Sequence, residues 1–283
     1  MTSYPLFVPA GHDRVAAVVA VPDGEEPRGV VLVLAGTGRH NVIGSTLAAR
    51  LASRLAAAGL ACVRLDYAGV GDSPGVVAEW TPADVEAASR QASAAIRVAG
   101  AALGVTRFAG VGTCYGSRVV LGLLDDPACA GAVCLAPPVV DPATWSRAGR
   151  SLATGRAYAL ARRARTVRRL VRPLVRRLRR RPPSAQALRA LASLERVPLA
   201  FLYGRDGAED HYGPEVGRAI EAQVASLSPA ARARFALRFL DTGPLTTFDG
   251  LALDEQDRVV DAVVPYVLEC FQPDGAAPPG AAG

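Results

Sequence analysis

The segment RFAGVGTCYGSRVVLGLL, residues 107–124, decides how this sequence folds. It opens with the apolar run 107–112, which is typical of a buried β-strand. It then passes through Gly112, Cys114 and Gly116 directly into a run with helical spacing. Small residues two positions before and two positions after Cys114 let the strand and the helix approach each other closely. The pattern therefore predicts a sharp strand-to-helix turn with a cysteine at its apex.

Such a turn strains the backbone of its central residue and projects that side chain over the carboxyl end of the sheet. There the positive end of the following helix dipole favours a thiolate at Cys114. The alternative is a small core residue, which is the role expected for Cys62 and Cys134 on buried strands. Because both flanking elements show the required pattern, we favour an active-site thiol.

Strand-like and helix-like segments alternate on both sides of this turn. Further strands are predicted at 6–9, 15–21, 29–36, 60–66, 131–136, 198–204 and 235–241, and helices at 45–58, 81–103 and 254–271. This alternation predicts an α/β protein with a doubly wound, mostly parallel sheet and an antiparallel hairpin at one edge.

One interval breaks the rhythm, because about sixty residues separate the strands that end near Ala136 and begin at Pro198. Helical spacing of apolar residues between positions 160 and 178 predicts an inserted helical cap, kinked at Pro173. The predicted division is a core of residues 1–141 and 196–271, a cap at 142–195 and a disordered tail at 272–283.

A second long segment points to a family. LAGTGRHNVIGSTLAARLASRLAAAGLACVRLDYAGVGDSPG, residues 34–75, contains LDYAGVGDS at 65–73. With the turn at Cys114, it resembles the α/β hydrolases grouped with serine aminopeptidase-like and exosortase-associated hydrolases. The resemblance covers about residues 5–271 and implies the α/β-hydrolase fold, with Cys114 at the nucleophile position. A cysteine at this position also occurs in dienelactone hydrolases, although other segments fit that branch less well.

The resemblance also implies roles for other residues. The backbone N–H groups of Thr37 and Tyr115 would form an oxyanion hole. A carboxylate is expected after strand 198–204, where the candidates are Asp206, Glu209 and Asp210. Substrate contacts are expected at Gly36, Arg39, Tyr67, Thr246 and Thr247.

The family's histidine after the last strand is absent. The loop 241–250 reads DTGPLTTFDG, with Thr246 or Thr247 where the histidine belongs. Of the chain's three histidines, His40 and His211 come from the correct end of the sheet, and each could be a base or a substrate or surface contact. A thiolate can attack without a base, but releasing the acyl group to water normally needs that histidine.

These observations predict an enzyme that acts on an ester or a carrier-bound acyl thioester in specialised metabolism. One alternative is a lyase of a polyketide-type pathway that eliminates an acyloxy group, with Arg39 and His40 receiving the departing carboxylate. Others are an acyltransferase or cyclase, and a binding module without turnover. Cysteine and histidine spacing indicates no metal site, and no cofactor is expected.

The cap is strongly basic. Fourteen of the 32 basic residues, all arginines, lie between Arg147 and Arg181, and no acidic residue occurs from 142 to 194. The lack of interleaved aromatic residues argues against nucleic acid, and the lack of large apolar anchors argues against a membrane-surface helix. The stretch therefore predicts either a docking surface for an acidic acyl carrier protein or a basic cap without a partner.

Neither a secretory signal nor an apolar run long enough to span a bilayer is found in the sequence. The five cysteines form no CxxC pair. We therefore expect no integral membrane segment and a cytoplasmic location.

Overall fold

The computed structural model describes residues 1–36, 46–76, 82–140, 183–205, 212–245 and 251–272. The strands are β1 (Thr2–Ala10), β2 (Asp13–Val21), β3 (Val30–Leu34), β4 (Ala61–Leu65), β5 (Phe108–Thr113), β6 (Cys129–Leu135), β7 (Leu199–Gly204) and β8 (Phe235–Leu240). The α-helices are α1 (Thr46–Ala57), α2 (Pro82–Leu103), α3 (Tyr115–Leu121), α4 (Ala185–Ala192), α5 (Pro214–Ala225), α6 (Pro229–Ala233) and α7 (Leu253–Cys270).

The strands form one eight-stranded sheet in the order β1-β2-β4-β3-β5-β6-β7-β8. β2 is antiparallel to both β1 and β4, and every other neighbouring pair is parallel. This arrangement confirms the predicted fold and the hairpin at one edge. All eight predicted strands are present, and the four helices predicted outside the cap correspond to α1, α2, α3 and α7. Helices α5 and α6 were not predicted.

Helices cover both faces of the sheet. α1 and α7 pack together on one face, and α2 and α3 pack together on the other, where α4 contacts α3 and α5 contacts α4. The central strands β3, β5, β6 and β7 are buried along their whole length, which explains their continuous apolar sequences. The carboxyl ends of these parallel strands lie at one edge of the sheet, where α/β proteins build their sites.

The two ends of the long interval after β6 lie side by side. Val140 forms an isolated antiparallel bridge with Pro183, and the N–H of Ser184 donates to the carbonyl of Val139 at 2.7 Å. Residues 183–195 were predicted as part of the cap, but α4 within them packs on α3 and α5, and Leu191 and Leu194 are fully buried. The arginine-rich stretch from Arg147 to Arg181 lies outside the described residues.

In the described part of the chain, we find no helix whose length and apolar character would allow it to cross a membrane. The predicted tail lies outside the described residues from position 273 onward.

Candidate active site

The turn at Cys114 has the predicted geometry. β5 ends at Thr113, α3 begins at Tyr115, and Cys114 between them has φ 49° and ψ −109°. A positive φ is costly for a residue with a Cβ, so the surrounding structure must hold it in place. One such restraint is the hydrogen bond from the N–H of Cys114 to the carbonyl of Leu135 in the neighbouring strand β6, at 2.9 Å.

The glycines on either side of the turn are required by close packing. A Cβ on Gly116 would lie 2.6 Å from the carbonyl oxygens of both Leu34 and Ala35, at the end of β3. Gly112 is crowded in the same way by the backbone of Gly116. Small residues at these two positions therefore allow α3 to sit against the strands that flank the thiol.

Ser117 braces the turn from within the core and was not identified from the sequence. Its hydroxyl is fully buried and lies 2.7 Å from the carbonyl oxygen of Gly112 and 3.2 Å from that of Leu135. It thus links the two strands beneath Cys114 to the first turn of α3. The available sequence signal was a serine in the first turn of a helix that sits between two buried strands.

Cys114 differs from the chain's other four cysteines in exposure, and all five are among the described residues. Its side chain is half-buried, whereas Cys62, Cys129, Cys134 and Cys270 are buried. Burial raises the pKa of Cys62 to about 12 and that of Cys129 to about 11. Burial also raises the pKa of Cys134 and of Cys270. Of the five thiols, Cys114 is therefore the one that a reagent or substrate can reach.

Gly36 brings the loop after β3 against the thiol. A Cβ on Gly36 would lie 3.6 Å from the Cβ of Cys114 and 3.7 Å from the carbonyl oxygen of Thr113. The backbone at Gly36 therefore lies beside the turn. Thr37, Arg39 and His40 lie outside the described residues.

Tyr67, which was predicted to contact substrate, is 4% exposed and forms part of the wall behind the turn. Its ring meets that of Tyr115 edge-on, with centroids 5.6 Å apart, and its hydroxyl donates to the carbonyl of Ala35 at 3.4 Å. Burial raises the pKa of Tyr67 well above its ordinary value, and the nearby Tyr115 and Cys114 raise that pKa further. The thiol and the phenol are therefore close enough to influence each other.

The segment that carries Tyr67 is a rigid turn. The hydroxyl of Ser73 donates to the carbonyl of Asp66 at 2.7 Å and accepts from the N–H of Ala16 at 2.7 Å. Gln91 accepts from the N–H of Ala68 at 3.2 Å. These bonds tie the segment to β2 and α2, so Tyr67 has a fixed position.

The end of β7, where a carboxylate was expected, is anchored by aromatic packing. The hydroxyl of the fully buried Tyr203 donates to the carbonyl of Pro137 at 3.1 Å, and its ring packs against Tyr212 and Phe239. This cluster joins the end of β7 to the segment that follows β6. The predicted acid–base residues Asp206, Asp210 and His211, with Glu209, lie outside the described residues.

After β8, the carboxylate of Glu255 links the start of the loop to α7. Its two oxygens accept from the N–H of Gly243 at 2.8 Å and of Ala252 at 2.9 Å. These bonds lower the pKa of Glu255. Thr246 and Thr247, one of which was expected at the position of the family's histidine, lie outside the described residues.

The comparisons with known proteins identify the family. A family model for the serine aminopeptidases, S33, matches residues 25–204, which is more than half of the chain. The chain belongs to the serine aminopeptidase family, S33. A search of curated proteins found no match.

Several solved structures resemble this chain over most of its length. A Pyrococcus furiosus esterase is 15% identical with a TM-score of 0.58, over 94% of this chain and 91% of the other. A Mycobacterium smegmatis proline iminopeptidase is 15% identical with a TM-score of 0.57, over 95% and 99%. Est1E from Butyrivibrio proteoclasticus, with ferulic acid bound, is 14% identical with a TM-score of 0.59, over 94% and 99%. At these identities the likeness establishes the α/β-hydrolase fold.

For a serine aminopeptidase family member, two features of this chain depart from the expected pattern. Cysteine replaces serine at the apex of the turn, and no histidine follows His211. Within the described residues, no three His, Cys, Asp or Glu side chains group as a metal site requires. The chemistry that this site can perform must therefore be argued from Cys114 and its surroundings.

Proposed function

We propose that this chain attacks the carbonyl of an ester or acyl thioester with the thiol of Cys114. The observation that carries the proposal is the strained backbone of Cys114, with φ 49°, at the junction of β5 and α3. Ala136, which also has a positive φ, is buried, whereas the thiol of Cys114 is half-buried and reachable at the carboxyl end of the sheet. Membership of a hydrolase family supports enzymatic activity.

The proposed step forms an acyl-cysteine. The sulfur of Cys114 bonds to the carbonyl carbon, the bond from that carbon to the alcohol or thiol breaks, and the proton of the thiol ends on the leaving group. Negative charge develops on the carbonyl oxygen during the attack. The backbone N–H groups of Tyr115 and Thr37 are the donors that we assign to it, supported by the position of Gly36 beside Cys114.

Removal of the acyl group is the step that the missing histidine affects. We assign the candidate acid–base roles to Asp206, Asp210, His211 and His40, which follow the carboxyl ends of β7 and β3 along the chain. Without a base placed for water, the acyl-cysteine would persist until another nucleophile accepts it. We therefore favour transfer or cyclisation over rapid hydrolysis, in a cytoplasmic pathway of specialised metabolism.

An elimination is a second candidate, supported by the same departure from the family pattern. In this reaction a base removes a proton next to the carbon that carries an acyloxy group, a double bond forms and a carboxylate leaves. Arg39 and His40 are the residues that we assign to the departing carboxylate. This candidate does not require an acyl-cysteine, so the two mechanisms can be separated experimentally.

The test is intact-protein mass spectrometry after mixing the protein with a panel of short acyl thioesters. The proposal expects an acyl adduct on the wild type that is absent from Cys114→Ala, together with release of free thiol. Cys114→Ser is the matched control, because it keeps a nucleophilic atom at the turn but a poorer one without a base. Thioester consumption that is equal in wild type and Cys114→Ala would contradict the proposed nucleophile.

A lack of both adduct and thioester consumption would instead favour elimination or a binding module. Elimination would then appear as carboxylate release from an acyloxy substrate, without any mass added to the protein. A protein that binds such substrates and releases nothing would be the binding module.

We also propose that the arginine-rich stretch docks an acidic acyl carrier protein. Support comes from its 14 arginines, from the absence of acidic residues between 142 and 194, and from the acyl chemistry proposed at Cys114. Binding of an acidic carrier should weaken strongly as salt rises, because the contacts are ionic. A variant with the arginines at 176, 177, 179 and 180 changed to glutamine should lose carrier binding and keep Cys114 reactive. Equal binding by both proteins would leave the stretch as a basic cap without this partner.

A further inference from the structure

We propose that Tyr67 is a positioning residue for the Cys114 site, holding the backbone before Thr37 at a fixed distance from the backbone after Cys114. The inference rests on the proposed function, because that spacing matters only if a carbonyl oxygen is stabilised between the two segments. Tyr67 is not assigned to touch the substrate.

The geometry places Tyr67 between two backbone segments that come from distant parts of the sequence. Its hydroxyl donates to the carbonyl of Ala35, and Ala35 directly precedes Gly36, where an added Cβ would lie 3.6 Å from the Cβ of Cys114. Its ring stands edge-on to the ring of Tyr115, at an interplanar angle of 87°. One side chain therefore spans the end of β3 and the start of α3.

Tyr67 can perform this role because its own backbone is held firmly. Its carbonyl accepts from the N–H of Val70 at 2.9 Å, closing a tight turn. On its N-terminal side, the N–H of Asp66 donates to Ala16 at 2.9 Å, and the hydroxyl of Ser73 joins the same two residues. The phenol side chain thus has a fixed position. A substitution at position 67 would therefore affect the site by shifting Ala35 and Tyr115.

The distance between these two backbone segments should affect acylation of the thiol but not its alkylation. Attack on a thioester develops negative charge on the carbonyl oxygen, which both backbone donors must reach at once. Alkylation by iodoacetamide is a direct displacement at carbon that develops no such oxyanion. A displacement of about 1 Å between the two segments costs up to roughly 100-fold in a reaction that depends on their alignment. The ratio of the two rates therefore reports positioning separately from the reactivity of the thiol.

The experiment compares wild type, Tyr67→Phe and Tyr67→Leu by the rate of acyl-adduct formation and the rate of iodoacetamide alkylation at Cys114. Tyr67→Leu, which removes the ring, should slow acylation roughly 10-fold or more and change alkylation by less than about twofold. Tyr67→Phe keeps the ring and loses one long hydrogen bond, so it should stay within about threefold of wild type in both. Tyr67→Met, which refills the space, replaces Tyr67→Leu if the leucine variant does not fold.

Phe108→Leu is the matched control for lost packing. Phe108 is buried at the first residue of β5, at the opposite end of that strand from Cys114, so its replacement should lower stability and leave the ratio of the two rates unchanged. Equal acylation by Tyr67→Leu and wild type would overturn the role of Tyr67. So would an equal fall in both rates, or the same change of ratio in Phe108→Leu. If wild type itself forms no acyl adduct, the proposed function fails, and the role of Tyr67 fails with it.

Discussion

Gly112 and Gly116 are in contact across the turn at Cys114: a Cβ placed on Gly112 would lie 2.4 Å from the carbonyl carbon of Gly116. The atoms it would meet are all backbone, so no side chain can move aside to accommodate it. The close approach of β5 and α3, and with it the strained conformation of Cys114, depends on this pair of glycines.

Gly112→Ala should therefore destabilise the protein by about 1–3 kcal/mol or more and reduce the reactivity of Cys114. Gly213→Ala is the control, since a Cβ on Gly213 would meet nothing within 4 Å. That control should change stability by less than about 0.5 kcal/mol. Urea unfolding measures both variants, and an unchanged midpoint for Gly112→Ala would show that the two elements can separate without loss.

Cys114 should react with iodoacetamide far faster than the other four cysteines. It is the half-buried thiol of the five, and burial raises the pKa of Cys62 to about 12 and that of Cys129 to about 11. Since the thiolate is the reactive form, we expect a rate difference of roughly 100-fold or more near neutral pH. Mass spectrometry of tryptic peptides over time gives the five rates. Slow and equal labelling of all five would argue against an active-site thiol.

Glu255 should stabilise the protein above its unfolded-state pKa and lose that effect in acid. The N–H groups of Gly243 and Ala252 donate to its carboxylate and lower its pKa in the folded protein. A lowered folded-state pKa means that the stabilisation is fully present above the unfolded value and disappears as pH falls through the folded value. The Tm difference between wild type and Glu255→Gln should thus be larger at pH 7 than at about pH 3.

Glu86→Gln is the control for Glu255→Gln. Glu86 is exposed on α2, and its ion pair is with Arg90, one turn further along the same helix, so its loss should have a small effect on Tm. A Tm difference for Glu255→Gln that is independent of pH would contradict the role of its charge.

Thr246→His and Thr247→His test whether the missing histidine limits release of the acyl group. If it does, at least one variant should shorten the lifetime of the acyl-cysteine, because an imidazole could activate water. The lifetime is measured by mass spectrometry after excess thioester is removed. Asp241→His, at the start of the same loop, is the control for adding an imidazole. If neither variant changes the lifetime of the acyl-cysteine, the missing histidine does not limit release of the acyl group.

Residues 141–182 should be removable without loss of the core fold. Val140 and Pro183 are bridge partners, so their backbones are already adjacent and a linker of about four residues can join them. Because α4 packs on α3 and α5 within the core, we expect the shortened protein to melt cooperatively with Cys114 still reactive. Loss of a cooperative melt would show that the removed residues contribute to the core.

Much of the fold could be predicted from local patterns. The runs 29–36 and 198–204 form strands that are buried on both faces of the sheet. A strand in that position needs apolar residues at every position, so its continuous apolar sequence is enough to predict it. Helices α5 and α6 were not predicted, although each has proline in its first turn. With five residues, α6 is too short to show helical spacing of apolar residues. The packing of residues 183–195 against the core could not be predicted from the sequence either. The arginine-rich stretch just before them suggested that they continue the cap.

For the site, the sequence by itself determined that a cysteine stands at a strand-to-helix turn and that no histidine follows the last strand. These are local facts of residue order and spacing. Only the tertiary structure decided that Gly36 lies beside Cys114, that Tyr67 lies behind the turn, and that the hydroxyl of Ser117 hydrogen-bonds beneath it. Each of these contacts joins residues from different elements. Their proximity depends on how the sheet packs against α2 and α3, which no single stretch of sequence specifies.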